Sequence, residues 1–416
     1  MAEFTLARGE VPLGEEAEFL KVVCPPALPG TNAITDTVDL PADPRIFQRG
    51  IDVMIDLPLP LNTQARVRAG RKDAVPLWII QDLAVGDAGR TFPSPTIRSI
   101  EDETVQVFTQ FFLNVHTIHW HGIEPTPMND GVGHTSFESS ASFPYSFATR
   151  VPGTFFYHCH KNTVLHFEMG LYGMLIVDPR NTNPALFPGL NPPFIDGQPG
   201  LYSADLTAFP QFANADRVNH LVRYDAEAIW AVDSMDSLWH ELQHDAFMQQ
   251  CDANDPANPA TFQVGFLNDF RPDIFVISGI VSDPTVAGGD VGTPILAPPV
   301  ALTIPLGGTG LIRLLNADYL LHETIIGTDV VVVGADGYPF GARGPVGRGP
   351  NRFSSAFAIR AGPPIRTTSA RRYDLLVHGA AVGEFPVTIK YYDWIRNPDT
   401  GGAVLWHTAH TVIRVV

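Results

Sequence analysis

Residues 116–122 read HTIHWHG and residues 153–160 read GTFFYHCH. In an extended chain successive side chains alternate between two faces, so His119 and His121 project together. The same period puts His158 and His160 on one face and Cys159 on the other. Two such strands laid side by side bring four imidazoles to one spot. The thiolate then points to the opposite side, where His116 and His166 can meet it. Two imidazoles and one thiolate make the trigonal set that blue copper prefers, and an imidazole cluster suits copper or zinc.

The rest of the chain sets the frame for these two segments. Its 416 residues are 45% hydrophobic and 17% charged, which excludes disorder for most of its length and fits about two domains. The formal net charge is −17, which argues against a nucleic-acid partner and against docking on anionic lipid. The 37 Pro and 36 Gly fit many short strands joined by tight turns. No apolar run approaches the roughly 18–20 residues of a membrane span. The opening MAEFTLARGEVPLGEE lacks the apolar core of an export signal.

Strand-type segments dominate from about 50 to 178, among them IDVMIDLPL, PLWIIQDLAV and GLYGMLIVDP. A Pro-, Asn- and Gly-rich stretch then reads as a linker over 181–200. Residues 224–251 have helical periodicity with no internal Pro or Gly. Strands resume in DIFVISGIV and continue to the C-terminus. The pattern predicts an all-β chain of two antiparallel β-sandwiches, residues 1–180 and 201–416, with a helical insertion in the second. Cys24 and Cys251 either pair, which would imply an oxidising compartment, or are unrelated thiols. His134 reads as a loop residue.

HTIHWHG, Asp130-Gly131-Val132 and GTFFYHCHKNTVLHFEMGLYGMLIV resemble the copper-binding segments of the multicopper oxidases and of the related copper nitrite reductases. DIFVISG, IRLLNADY, VVVGADGYPF and RRYDLLV resemble the second domain of the same proteins. The resemblance implies two cupredoxin-like Greek-key domains and copper as cofactor. It places His116, Cys159 and His166 as type 1 ligands, with Leu171 in the axial position and Met169 as its competitor. It places His119, His121, His158 and His160 as half of a type 2 plus type 3 set, and Asp130 as an acidic residue orienting water or supplying protons nearby. The Cys159–His166 spacing is longer than in most laccases.

The second half departs from that pattern. It has no His-x-His, and in LLHETIIGTD the expected ligand positions hold Leu321, Thr324 and Ile326. The nitrite reductase pattern asks less: His121 and His158 would be ligands, and His322 would act near the metal. Its second-domain ligand position falls around Tyr392, and His119 and His160 would be surplus. A further motif, His240-Glu241-Leu242-Gln243-His244, has zinc-protease spacing. No Glu follows before Glu323 to serve as third ligand, so a packed helix face is the better reading.

Three functions stand at this level. The leading one is a laccase-like multicopper oxidase that takes single electrons from a small reducing substrate and reduces O2 to water. The alternatives are a copper nitrite reductase and a non-catalytic blue-copper protein for electron transfer or copper handling. The resemblance also implies a homo-oligomer, a trimer favoured, and a periplasmic or extracellular location.

Overall fold

The computed structural model describes residues 44–112, 115–133, 136, 138–241, 270–282, 300–341, 355–394 and 403–416. Cys24, Cys251, His134 and His244 lie outside them. The chain divides into two compact units, residues up to 54 with 78–180, and residues 55–77 with 181–416. Residues 181–200 are therefore not a free linker. They carry Phe187, Leu190 and Phe194, and the two phenylalanines pack with Leu201 and Leu221 of the second unit. Their Pro, Asn and Gly content hid those three anchors.

The strands up to residue 180 are β1 (Arg45–Pro58), β2 (Ala74–Asp82), β3 (Ser94–Ile100), β4 (Glu103–Phe111), β5 (Ile118–His121), β6 (Ser142–Thr149), β7 (Gly153–Cys159) and β8 (Tyr172–Asp178), with the end of β1 and the start of β2 counted in the second unit. They form two four-stranded sheets, ordered β2-β1-β4-β6 and β3-β8-β7-β5. Both sheets are mixed rather than purely antiparallel. The pairs β1–β4 and β3–β8 run parallel, because their partners are joined by long crossovers instead of hairpins. Trp120 is fully buried and meets Phe147 at 4.7 Å and Tyr145 at 5.3 Å between ring centroids. With Trp120 held in the core, its neighbours His119 and His121 must take the other face of β5.

The second unit shows why its strands read as unbroken apolar runs. Val330–Ala335, Thr309–Asn316 and Arg372–His378 lie in one eight-stranded sheet covered on both faces. Ile312, Leu314, Val332, Leu375 and Val377 face one cluster, together with Ile389, Ala409 and Ile413 of a five-stranded sheet. Leu311, Val331, Val333 and Leu376 face a second cluster with Tyr202, Val222 and Tyr224. Adjacent residues thus go to opposite cores.

The helical expectation for 224–251 fails in its first part. Residues Ala226–Met235 form a strand, parallel to Thr309–Asn316, and a helix begins only after it, over 237–241. The run AEAIWAVDSM is buried on both faces, and such a run lacks the alternation that distinguishes strand from helix. The remainder of the stretch lies outside the described residues.

One buried ion pair ties this sheet together. Arg313 Nε donates to Glu227 Oε1 at 2.6 Å with both side chains enclosed. Arg313→Met is expected to cost about 3–5 kcal/mol in urea unfolding, since it strands a buried carboxylate. Adding Glu227→Gln to it should restore most of that loss. His407 supplies a pH test: buried, stacked on Phe275 and bonded to Ser282, it has its pKa pushed down from 6.5 to about 4, by burial first and then by Arg66 and His410. The unfolded chain takes up this proton below about pH 6.5 and the folded chain only near 4. Stability should therefore fall by up to about 3 kcal/mol as pH drops across that window. His407→Gln should flatten that part of the pH profile.

Candidate metal centre

Strands β5 and β7 pair antiparallel with Ile118 opposite Cys159, His119 opposite His158, Trp120 opposite Tyr157 and His121 opposite Phe156. One face of the pair therefore carries Ile118, Trp120, Tyr157 and Cys159, and the other carries His119, His121, Phe156 and His158. Backbone bonds extend the match past the strand ends: His160 N–H donates to Thr117 O at 2.9 Å, and Cys159 N–H to Leu171 O at 3.0 Å. The period-two expectation for both segments thus holds in the geometry.

On the sulfur side, His116 Nδ1 and His166 Nδ1 each lie 3.2 Å from Cys159 Sγ. All three residues are buried. His116 is fixed by two backbone bonds with Ser139. His166 arrives on a short helix, α1 (Thr163–Glu168), that occupies the long spacing seen in the sequence. Phe111 stacks on the His116 ring at 5.7 Å, and Trp78 meets His166 edge-on at 5.8 Å. Burial, reinforced by His116 and Lys161, pushes the pKa of His166 well below 6.5, so this imidazole has no proton to shed before binding a metal. Burial works against charge on His116 too, but its bonds to Asp52 and Cys159 outweigh it and push the pKa up to about 10.

On the imidazole side, ligand nitrogens of His119, His121 and His158 lie within 4.8 Å of one another. His160 stands at the edge of this group, its ring 5.4 Å from His119 and 5.7 Å from His158. His158 Nδ1–H donates to Cys159 O at 2.9 Å and His119 Nδ1–H to Asp130 O at 2.8 Å, which leaves the Nε2 atoms for a metal. Asp130 thus touches the cluster chiefly through its carbonyl; its carboxylate Oδ1 is 3.4 Å from the same nitrogen. Gly131 follows at φ 72°, and a Cβ there would strike the Ile118 carbonyl, so the Asp-Gly step is required by close packing on β5. Burial pushes His158 well below its usual pKa, the neighbouring imidazoles adding to it.

Among the described residues these two groups, His116–Cys159–His166 and His119–His121–His158, are the ones whose donors converge for a metal. The structure keeps His322 out of both. It lies in the second unit, fully enclosed, with Nε2 bonded to Asp318 Oδ2 at 2.9 Å and its ring against Tyr391. His240 is likewise buried, with Nδ1–H donating to Pro76 O at 2.8 Å. Leu171 and Met169 are both fully buried. Leu171 alone of the two is bonded through its backbone to both Cys159 and His166.

Sequence reasoning missed Asp52, whose carboxylate bonds His116 Nε2. It sits in β1 where four consecutive residues, Arg49–Asp52, are buried. Strand alternation breaks at that point, so the pattern gave no sign of where its side chain goes.

The sequence model of the multicopper oxidase family matches residues 84–182. Over those residues the chain is similar to the multicopper oxidases. Its likeness to L-ascorbate oxidase of Cucurbita maxima is 40% identity over 108 residues, 24% of this chain and 18% of that protein. Copper resistance protein A of Escherichia coli is 36% identical over 96 residues, 22% of this chain and 16% of that protein. The chain thus matches less than a fifth of either relative. The fold likeness reaches further: a blue copper oxidase from Nitrosomonas europaea superposes with a TM-score of 0.51 at 20% identity, over 90% of this chain and 86% of that one. A laccase from Botrytis aclada gives 0.52 at 15%, over 91% and 55%.

Copper is the cofactor of that family, and the donor sets of the first unit fit it. Two buried imidazole nitrogens and a thiolate at 3.2 Å separations can share one ion at bonds of about 2.0–2.3 Å, and three imidazoles can hold a second. Cys159→Ser is expected to remove the intense visible absorption of the copper-loaded protein and one ion per chain, while His119→Ala leaves that absorption in place. Metal analysis and a visible spectrum on the same samples check both.

Proposed function

We propose that this chain is a laccase-like multicopper oxidase, accepting single electrons from a small reducing substrate on the sulfur side and using them on the imidazole side to reduce O2 to water. The observation that carries this reading is the tripeptide His158-Cys159-His160. Cys159 aims its sulfur at His116 and His166, while His158 points to the opposite face of the same strand. Copper, when bound, supplies a one-electron couple on one side and an oxygen-reducing centre on the other. The chain's own residues do the rest. Cys159 joins the two sides through its own backbone, with His158 Nδ1–H on the Cys159 carbonyl as a second link. Leu171, bonded through its backbone to Cys159 and His166, would offer a copper ion held there no donor atom, which would favour a high potential. Burial of His116, Cys159 and His166 keeps water off the sulfur. The Asp130 carboxylate, partly exposed and 3.4 Å from His119 Nδ1, would hand protons toward the imidazole side. The reading carries with it a homo-oligomer, a trimer favoured, and a periplasmic or extracellular location.

A specific observation favours a second reading, a copper nitrite reductase. His121 and His158, the two ligands that pattern asks of this half, bring Nδ1 and Nε2 to 3.4 Å of each other, close enough to share a single ion, and the second half has no His-x-His to enlarge the site. One experiment separates the two. The copper-loaded protein is assayed for metal content, for O2 uptake with a phenolic donor and for anaerobic nitrite turnover. The oxidase reading expects O2 uptake and more copper per chain than the two clusters would hold with one ion each. Nitrite turnover with one ion in each cluster and no O2 uptake would replace it with the second reading.

A further inference from the structure

We propose that Asp52 is a positioning residue of the sulfur-side copper site: through His116 it sets the affinity and the reduction potential of the ion held by His116, Cys159 and His166. The inference rests on the reading that this trio takes copper, and goes beyond it by assigning a residue outside the ligand set.

Three observations support it. First, His116 presents Nδ1 to the sulfur, so Nε2 is its outer nitrogen, and that nitrogen is bonded to the Asp52 carboxylate. With Nδ1 committed to the metal, Nε2 carries the proton and donates it to Asp52. A carboxylate in that place fixes tautomer and ring plane together and makes the imidazole a stronger donor. Second, the backbone is bent to put it there. The parallel ladder of β1 on β4 runs to Ile51 opposite Phe111, and the next residue, Asp52, has φ 68°. A left-handed residue in mid-strand is uncommon for anything but glycine, and its effect here is to turn the carboxylate inward behind His116. Phe111, the last rung of that ladder, is the residue whose ring stacks on His116. Third, the carboxylate is buried and makes no other side-chain bond: Oδ1 has no hydrogen-bond partner among the described residues. Arg49, the nearest cation along the strand, is paired with Asp82 at 3.0 Å. The negative charge of Asp52 therefore acts mainly on His116 and whatever His116 binds, and it favours the more highly charged copper state.

The variants Asp52→Asn, Asp52→Leu and Asp52→Glu test this in the full, copper-loaded chain, read by visible and EPR spectra, by potentiometry and by copper competition with a chelator. Asp52→Asn keeps an acceptor and loses the charge. It should keep the blue absorption while shifting the one-electron equilibrium at least about tenfold toward the reduced state, about 59 mV upward in potential. Asp52→Leu also loses the bond and should weaken copper binding about 10–100-fold. Asp52→Glu, which restores the charge, should return the potential toward that of the parent. Thermal unfolding of the metal-free proteins is measured alongside, because a purely structural role would change that and leave the potential of the folded, copper-loaded Asn variant unmoved. An unmoved potential in Asp52→Asn with parental copper affinity in Asp52→Leu overturns the inference. A parent protein that takes no copper at Cys159 overturns both it and the reading beneath it.

Discussion

The antiparallel register of β5 on β7 is the constraint on which both metal-binding faces depend. Ile118 opposite Cys159 puts the sulfur on the core face, and His119 opposite His158 puts the imidazoles on the other. A slip of one residue would exchange the faces and break up both donor sets together. Several contacts make that slip costly. Trp120 is fully enclosed beside Phe147 and Tyr145. The Tyr145 hydroxyl accepts the Ile118 N–H at 2.8 Å, and Thr117 Oγ1–H donates to Gly131 O at 2.8 Å. Aromatic packing thus does for the histidines what their own chemistry cannot, which is to choose a side.

The two faces differ in their electrostatics. The sulfur side is enclosed, lined by Phe111 and Trp78, and backed by one buried carboxylate. The imidazole side is more open: His119, His121 and His160 are each partly exposed, and only His158 of the four is buried. A closed, sulfur-bearing site suits a group that exchanges electrons without exchanging ligands. An open cluster of imidazoles suits one that must admit a small molecule. The second unit repeats the sandwich architecture with a different filling. Across four of its strands Thr367, His322, Tyr391 and His407 stand in one transverse row, and the last three are bonded to Asp318, Val276 and Ser282 in turn rather than gathered around a common point.

The sequence made the all-β class and the two histidine faces legible because both are written in the local period of a strand. HTIHWHG and YHCH alternate strictly, and alternation converts directly into geometry. What it hid has physical causes. AEAIWAVDSM is buried on both faces, so it carries no alternation and passed for a helix. Residues 181–200 wear linker composition around three large apolar anchors. His322 drew a functional role from its place in a family pattern, and nothing in LLHETIIGTD announces that its ring is enclosed and paired with Asp318, four residues away. Asp52 was invisible for a deeper reason: its function depends on a backbone angle and on a partner 64 residues distant. No single-segment pattern encodes either.

One strand, β7, presents two chemically distinct donor sets on its two faces, each able to hold copper. Copper X-ray absorption of the fully loaded protein tests it most directly. The expected spectrum shows a sulfur neighbour at about 2.2 Å for a minority or at most half of the copper, with imidazole nitrogen alone around the remainder. Absence of sulfur from the copper shell, or sulfur around every ion, would contradict it.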